Sequence, residues 1–417
     1  MKRRTFHKTA SPTGLAVAAT PNLLLGAAKE SPNEKLNMGI IGSGGRGSAN
    51  LRGVASENIV ALCDVNVQTL EAVHKKYPKA KKYTDWRKMM DDKSIDAVTV
   101  STADHCHAPA SVAAMRAGKH VYCEKPLTRD VHEARLVTET ARKAGVATQQ
   151  GTQIHAGNNY RRVVERIQSG AIGTIHRVHV WVNIGHSYSN GVFTTQTPKP
   201  AHLDWDLWLG PAVERPYTEG AHTFNWRQFW DYGNGRLGDF GCHYMDLVHW
   251  ALNLRHPSRV HAKGPELDPI STPPWLEVDY PYSRPGQEPL HLTWHGNRIP
   301  EIVQSLRTAA GEPMPFNSGQ CFIGSKGILV SDYGKHLLLP EDTFKDIPAP
   351  DPFIENSIGH HKEWTEAIKQ GGKTTCHFDY GAALTEAVLL GSVSYRSGEA
   401  IDYMACLLYT SPSPRDS

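Results

Sequence analysis

The sequence is short of several things, and each absence closes off a class of protein. No apolar run reaches the roughly 18–20 residues a membrane-spanning helix needs, so no membrane insertion is expected. Charge of one sign is scarce too: 45 Lys and Arg face 42 Asp and Glu, a net +3. Four of those cations, Lys2, Arg3, Arg4 and Lys8, lie at the extreme N-terminus, so the remainder has no basic surplus. A nucleic-acid partner is therefore not expected. Cysteine is sparse and unpatterned. Apart from Cys406 there are Cys63, Cys106, Cys123, Cys242, Cys321 and Cys376, with no CxxC spacing, so neither a zinc site nor a disulfide framework is legible. What remains is ordinary: 417 residues, 40% hydrophobic and 21% charged, enough for two or three folded domains and unlike disordered, collagenous or coiled-coil chains.

The two ends read as additions to the fold. Residues 1–28 start basic, continue small and apolar, and close on Gly26-Ala27-Ala28, the pattern of an export signal. Within it, Arg3-Arg4-Thr5-Phe6-His7-Lys8 resembles a twin-arginine motif with His7 where Leu is usual, which predicts a periplasmic protein exported already folded. Residues 406–417, CLLYTSPSPRDS, resemble a translated transposase adapter, so Ala405 is taken as the last native residue.

Between the ends, short apolar strands alternate with helical stretches. Residues 37–41, 59–64, 94–101, 119–123 and 144–151 read as strands, with helices at 67–76 and 108–117 between them. That alternation predicts an α/β fold with an N-terminal doubly wound parallel sheet (Rossmann) over 36–155. A helix at 158–169 opens a C-terminal α+β domain, 156–405, with a large open mixed or antiparallel sheet. Strands are expected at 174–184, 290–294 and 320–329, helices at 358–369 and 380–395, and loops at 185–200 and Pro-rich 265–289.

The chemistry gathers at strand ends. Gly42-Ser43-Gly44-Gly45-Arg46-Gly47 follows the first strand and opens a helix, with Asp64 about 20 residues on at the end of the second strand. Gly42 permits a tight turn, Gly44 a close backbone approach to a pyrophosphate, and Gly47 close helix–strand packing; Gly45 and Arg46 complete the loop. A carboxylate at Asp64 suits ribose hydroxyls and repels a 2′-phosphate, so the expected cofactor is NAD. Thr102 and Asp104-His105-Cys106-His107 follow one strand and Glu124-Lys125-Pro126 another, where open α/β sheets place their ligands. Asp239 and His243 stand four residues apart, on one face if helical. A first-turn helix acid and a structural histidine are the alternatives for that pair. His243, Asp246 and His249 do not form a compact three-ligand set on one helix, so no metal is expected.

These motifs resemble the glucose–fructose oxidoreductase/inositol 2-dehydrogenase/MocA (Gfo/Idh/MocA) family: GSGGRG with Asp64, ADHCHAP, EKP, and Asp239-x-x-x-His243, in that order. The match to an exported bacterial subgroup extends to LDWDLWLGP, NWRQFWDYGNG and GDFGCHYMDL. Ala103 departs from the family, where Pro is common. The resemblance implies an NAD-dependent oxidoreductase acting on a CH–OH group of a sugar or glycoside. By that resemblance catalytic roles fall on Lys125, Asp239 and His243 and a cis bond on Lys125–Pro126; cofactor contacts are also expected at Glu124, Lys125, Thr102 and, from its place after the strand, His107. It also implies a homo-oligomer, a dimer or tetramer.

Gln153, Trp226, Arg227 and Tyr232 are candidates for the substrate wall, since aromatic faces stack on sugar rings and Arg bonds hydroxyls. A Trp-rich core under a long loop is the competing reading. An exported enzyme has no useful pool of free NAD, so the cofactor is expected to be tightly held and recycled in place. Three readings stay open: sugar oxidation coupled to a second reduction, redox-neutral glycoside cleavage through transient C3 oxidation, and NAD or glycan binding without turnover.

Overall fold

The computed structural model describes residues 35–184, 196–219, 221–222, 224–284 and 286–404. The export-signal and adapter segments, and residues 185–195 of the long expected loop, lie outside the described residues.

Six strands form the first sheet: β1 (Asn37–Ile41), β2 (Asn58–Cys63), β3 (Lys81–Tyr83), β4 (Ala97–Val100), β5 (His120–Glu124) and β6 (Thr148–Gly151). Their order is β3-β2-β1-β4-β5-β6 and every pairing is parallel. Buried Met38, Ile40 and Leu62 serve one face, Ile41, Val98 and Val121 the other. That double burial is why the strands read as continuous apolar runs. Strand order reverses between β1 and β4, which opens a crevice at their carboxyl ends. β3, with only three residues and an exposed start, carried no apolar signal and was not foreseen.

The second sheet has eight strands: β7 (Ile175–Val182), β8 (Arg259–Lys263), β9 (Glu277–Tyr282), β10 (Leu290–Gly296), β11 (Gly319–Gly324), β12 (Ile328–Ser331), β13 (His336–Leu339) and β14 (Ile401–Asp402). It is mixed, ordered β13-β12-β11-β7-β10-β9-β8-β14, with β7 and β10 parallel and the other pairs antiparallel. The expected loop at 265–289 is corrected by β9. Val278, Tyr280 and Tyr282 alternate inward with period two, and Pro281 is tolerated because the β8 ladder ends at His261–Asp279. The segment 320–329 likewise proves to be a hairpin of two strands rather than one.

One helix ties the sheets together. Phe378–Ser397 buries Phe378 in the core beneath the first sheet and Leu384, Val388 and Leu390 in the core of the second. From its middle, the Thr385 hydroxyl accepts from the Leu127 amide at 3.2 Å and from Gln150 Nε2 at 2.9 Å. The loop after β5 is thereby fixed against the second half of the chain.

Burial also sets the acid response. Burial pushes His105 down to about 4 and His249 and His360 to about 3. Each stays neutral when folded but takes up a proton near pH 6.5 once unfolded. Stability is therefore complete above about pH 6.5 and falls as pH drops toward 4, by up to about 1.4 kcal/mol per pH unit for each group. Glu133, pushed up to about 7 by burial and then Asp130, works in the opposite direction but is outnumbered. Melting followed from pH 7 to pH 4 should show a falling Tm with net uptake of more than one proton on unfolding.

Candidate active site

The turn after β1 is built for close approach. Gly42 takes φ +75°, and a Cβ there would lie 2.6 Å from the Ser101 carbonyl oxygen. At Gly47 a Cβ would stand 1.8 Å from the Gly42 carbonyl oxygen, so the helix Gly45–Gly53 reaches the turn only with glycine. Asp64, just past β2, already faces this loop. Its Oδ2 accepts from the Ser43 and Gly44 amides at 2.9 and 3.2 Å, its Oδ1 from the Asn66 amide at 2.9 Å. A cleft of about 410 Å³ runs from Asp64 past Gly44, Arg46 and Thr102 to Trp226 and Arg227. A glycine cradle, a helix N-terminus and an acceptor for ribose hydroxyls in one cleft fit an NAD molecule.

Glu124 and Arg46 form the floor beside it. Buried Glu124 accepts from Arg46 Nε at 3.0 Å, Asn50 Nδ2 at 2.9 Å and Gln153 Nε2 at 2.7 Å. Burial would raise its pKa, but Arg46 and then Lys125 outweigh that and hold the carboxylate below its usual range. Gln153 spends its amide on Glu124 and on the Tyr122 hydroxyl at 2.8 Å, so it belongs to this network.

The next residue crosses between domains. Lys125, followed by a cis peptide to Pro126, donates from Nζ to the Asp239 carbonyl at 2.6 Å and to its Oδ1 at 2.5 Å. Asp239 lies inside the helix Gly235–Tyr244, and Arg227 Nε stands 3.2 Å from the same Oδ1. Arg227 stacks over Trp226 at 4.1 Å. His243 follows one turn after Asp239, and its buried Nδ1 has no hydrogen-bond partner among the described residues. Burial, then the nearby Lys125 charge, pushes the imidazole down to about 3. It is thus a neutral ring beside two cations and a carboxylate.

Two expected contacts are corrected. His107 is buried behind the cleft, with Nδ1 2.7 Å from the Pro126 carbonyl and Nε2 3.1 Å from the Thr102 carbonyl. It positions both loops and does not reach the cleft. Tyr232 is core: its ring packs on Trp208 at 4.8 Å and on His105 at 5.3 Å, inside a cluster with Trp205, Tyr217 and Phe229. The aromatic segment condenses on itself, and among its described residues Trp208 and Trp226 line the cleft. Asp246, weighed as a metal ligand, instead meets His155 Nδ1 at 2.9 Å and the Tyr380 hydroxyl at 2.6 Å.

Other groups were given no role from the sequence. Asp104 is buried, and burial pushes its carboxyl well above the usual range, Arg227 opposing and Asp239 adding. Tyr333 lies edge-on to His243 at 6.4 Å and stacks on Tyr244 at 4.6 Å. It lines a second, open cleft of about 520 Å³ with Asn317, Ser318, Asp332 and Lys335.

Residues 36–152 match the family model for an oxidoreductase family NAD-binding Rossmann fold, and residues 157–290 match its C-terminal alpha/beta domain. The chain belongs to the Gfo/Idh/MocA oxidoreductase family. Inositol 2-dehydrogenase of Salmonella typhimurium is 34% identical over 150 residues, 34% of this chain and 45% of that protein. 1,5-Anhydro-D-fructose reductase of Ensifer adhaerens is 41% identical over 175 residues, 42% of each. The chain thus spans about half the length of the curated relatives it matches. Among solved structures, the Bordetella pertussis WlbA dehydrogenase with NADH and UDP-GlcNAcA superimposes with TM-score 0.60, covering 89% of this chain and 99% of that one, at 17% identity. The family fold therefore extends through both domains.

Gly47→Ala is the direct test of the cradle. It should weaken NAD binding by about 100-fold or more, about 2.7 kcal/mol, in a calorimetric titration on protein whose far-UV spectrum is unchanged.

Proposed function

We propose that this chain is an NAD-dependent oxidoreductase acting on a CH–OH group of a sugar or glycoside. The observation that carries the reading is the meeting of Lys125, Asp239 and His243 beside the dinucleotide cleft. Relatives named for inositol and for 1,5-anhydro-D-fructose support a ring-shaped polyol substrate.

The residues divide the work as follows. Asp64 and the amides of the glycine loop hold the ribose and phosphates. NAD, when bound, supplies the hydride acceptor. A carbinol carbon gives up hydride only as its hydroxyl proton leaves, so a proton acceptor must lie within hydrogen-bond reach. Lys125 Nζ donates to the carbinol oxygen and steadies the charge that develops there, while Asp239 and Arg227 fix the ammonium in place. A ring nitrogen of His243 is the proton acceptor at the site: the imidazole is neutral, though burial and then the Lys125 charge make it a weak base. Tyr333 and the polar side chains of the second cleft offer a stacking face and hydroxyl partners for the sugar.

The reading extends to location and cofactor economy. Arg3-Arg4 and the apolar stretch after them support twin-arginine export to the periplasm, where the cofactor has to stay bound and be recycled. Assembly into a dimer or tetramer is part of the same proposal.

Lys125→Met and His243→Ala should each lower kcat by about 10²–10⁴ while NAD remains bound. The wild-type kcat/KM profile should show no inflection near pH 6.5 from His243. Reaction with methyl glycosides in D2O separates the outcomes. An oxidised sugar product supports direct oxidation. Deuterium at C2 with cleavage and no net NADH establishes the redox-neutral route instead. Retention of full activity by both variants would overturn the assignment.

A further inference from the structure

The segment after the long loop does something the motifs do not explain. Residues 202–208 lie across the far end of the dinucleotide cleft and are pinned to the residues that immediately follow Asp64. The Val67 amide donates to the His202 carbonyl at 2.9 Å, and the Asp204 amide donates to the Val65 carbonyl at 3.0 Å. Between them Asn66 and Leu203 form an isolated antiparallel bridge. The other end is held as well: His105 Nε2 stands 2.9 Å from the Trp208 carbonyl, and Trp205 Nε1 donates to the Arg215 carbonyl at 2.8 Å. The strap is built in place, with Leu203, Trp205 and Trp208 buried in its own aromatic core.

Its underside faces the cleft. Leu203, Leu207 and His222 line the same cavity as Asn66, Thr69 and Trp86, beyond Asp64 from the glycine loop. If Asp64 takes the ribose hydroxyls, the volume past it receives the adenine ring. A flat apolar base in that position meets side chains from both domains rather than open solvent.

We propose that residues 202–208, with His222, roof the adenine half of the cofactor site and hold NAD against release. This rests on the reading of the cleft as an NAD site and gives that site a retention mechanism. Leu207 and His222 belong neither to the glycine loop nor to the Lys125–Asp239 junction. The roof therefore slows departure of the whole dinucleotide and is indifferent to a mononucleotide that lacks the adenosine half.

The test is the dissociation rate of NAD from the Leu207→Ala/His222→Ala protein, with nicotinamide mononucleotide as the comparison ligand. NAD should leave at least tenfold faster than from wild type, while affinity for the mononucleotide stays the same. Leu207→Ala alone, at a partly exposed position, should shift the rate in the same direction by a smaller factor. Hydrogen exchange supplies an independent readout: NAD, but not the mononucleotide, should slow exchange of the Val67 and Asp204 amides in wild type. An unchanged NAD off-rate in both variants, or equal weakening of the two ligands, overturns the roof. A wild-type protein that binds neither ligand refutes the NAD site itself, and is thereby distinguished.

Discussion

The contact on which the site depends is the one between Lys125 and Asp239. Lys125 comes from the loop after the fifth strand of the parallel sheet, Asp239 from a helix of the second domain, and 114 positions separate them in sequence. Both side chains are largely buried, so the pair is worth keeping only where each charge has further partners. It has them: Arg227 shares the Asp239 carboxylate, and the Asp239 carbonyl takes a second bond from Lys125. The geometry of this junction is held from behind. Thr385, on the helix that spans both cores, fixes the chain two residues past Lys125, and His107 bridges the carbonyls of Thr102 and Pro126.

That arrangement decides what each titratable group does. Next to a fixed ammonium and out of water, His243 stays neutral far below its ordinary range. Glu124, equally buried, is also held low, because Arg46 and Lys125 outweigh its burial, and it therefore stays charged. Burial and the nearby cations leave the imidazole neutral, while the cations prevail over burial and leave the carboxylate charged. A carboxylate floor, a fixed cation and a neutral imidazole are thereby placed in sequence from the dinucleotide loop toward the second cleft.

Much of this was legible in the sequence, for physical reasons that also explain the misses. The parallel sheet announced itself because both its faces are buried and its glycine loop has to sit at a strand end. Lys125, Asp239 and His243 were marked by short local motifs. Tyr232 was misplaced because an aromatic cluster packed on itself and one packed on a sugar share a composition. His107 differs from a cofactor contact only in which way its ring points. Tyr333 had no motif at all, and Asp104 lay within ADHCHAP without a role of its own: their relevance arises from a hairpin turn and a loop that come near His243 and Asp239 only after folding. β9 was hidden by Pro281, which lies past the last β8 pair, His261–Asp279, and offers its neighbour only a carbonyl, taken by Ser258.

The most direct test of the account is the nucleotide content of the protein itself. Protein purified without added cofactor is denatured, and the supernatant is assayed for NAD and NADH. The account predicts close to one nucleotide per chain, carried through purification. No released nucleotide, together with no tight binding when NAD is titrated back, would contradict it.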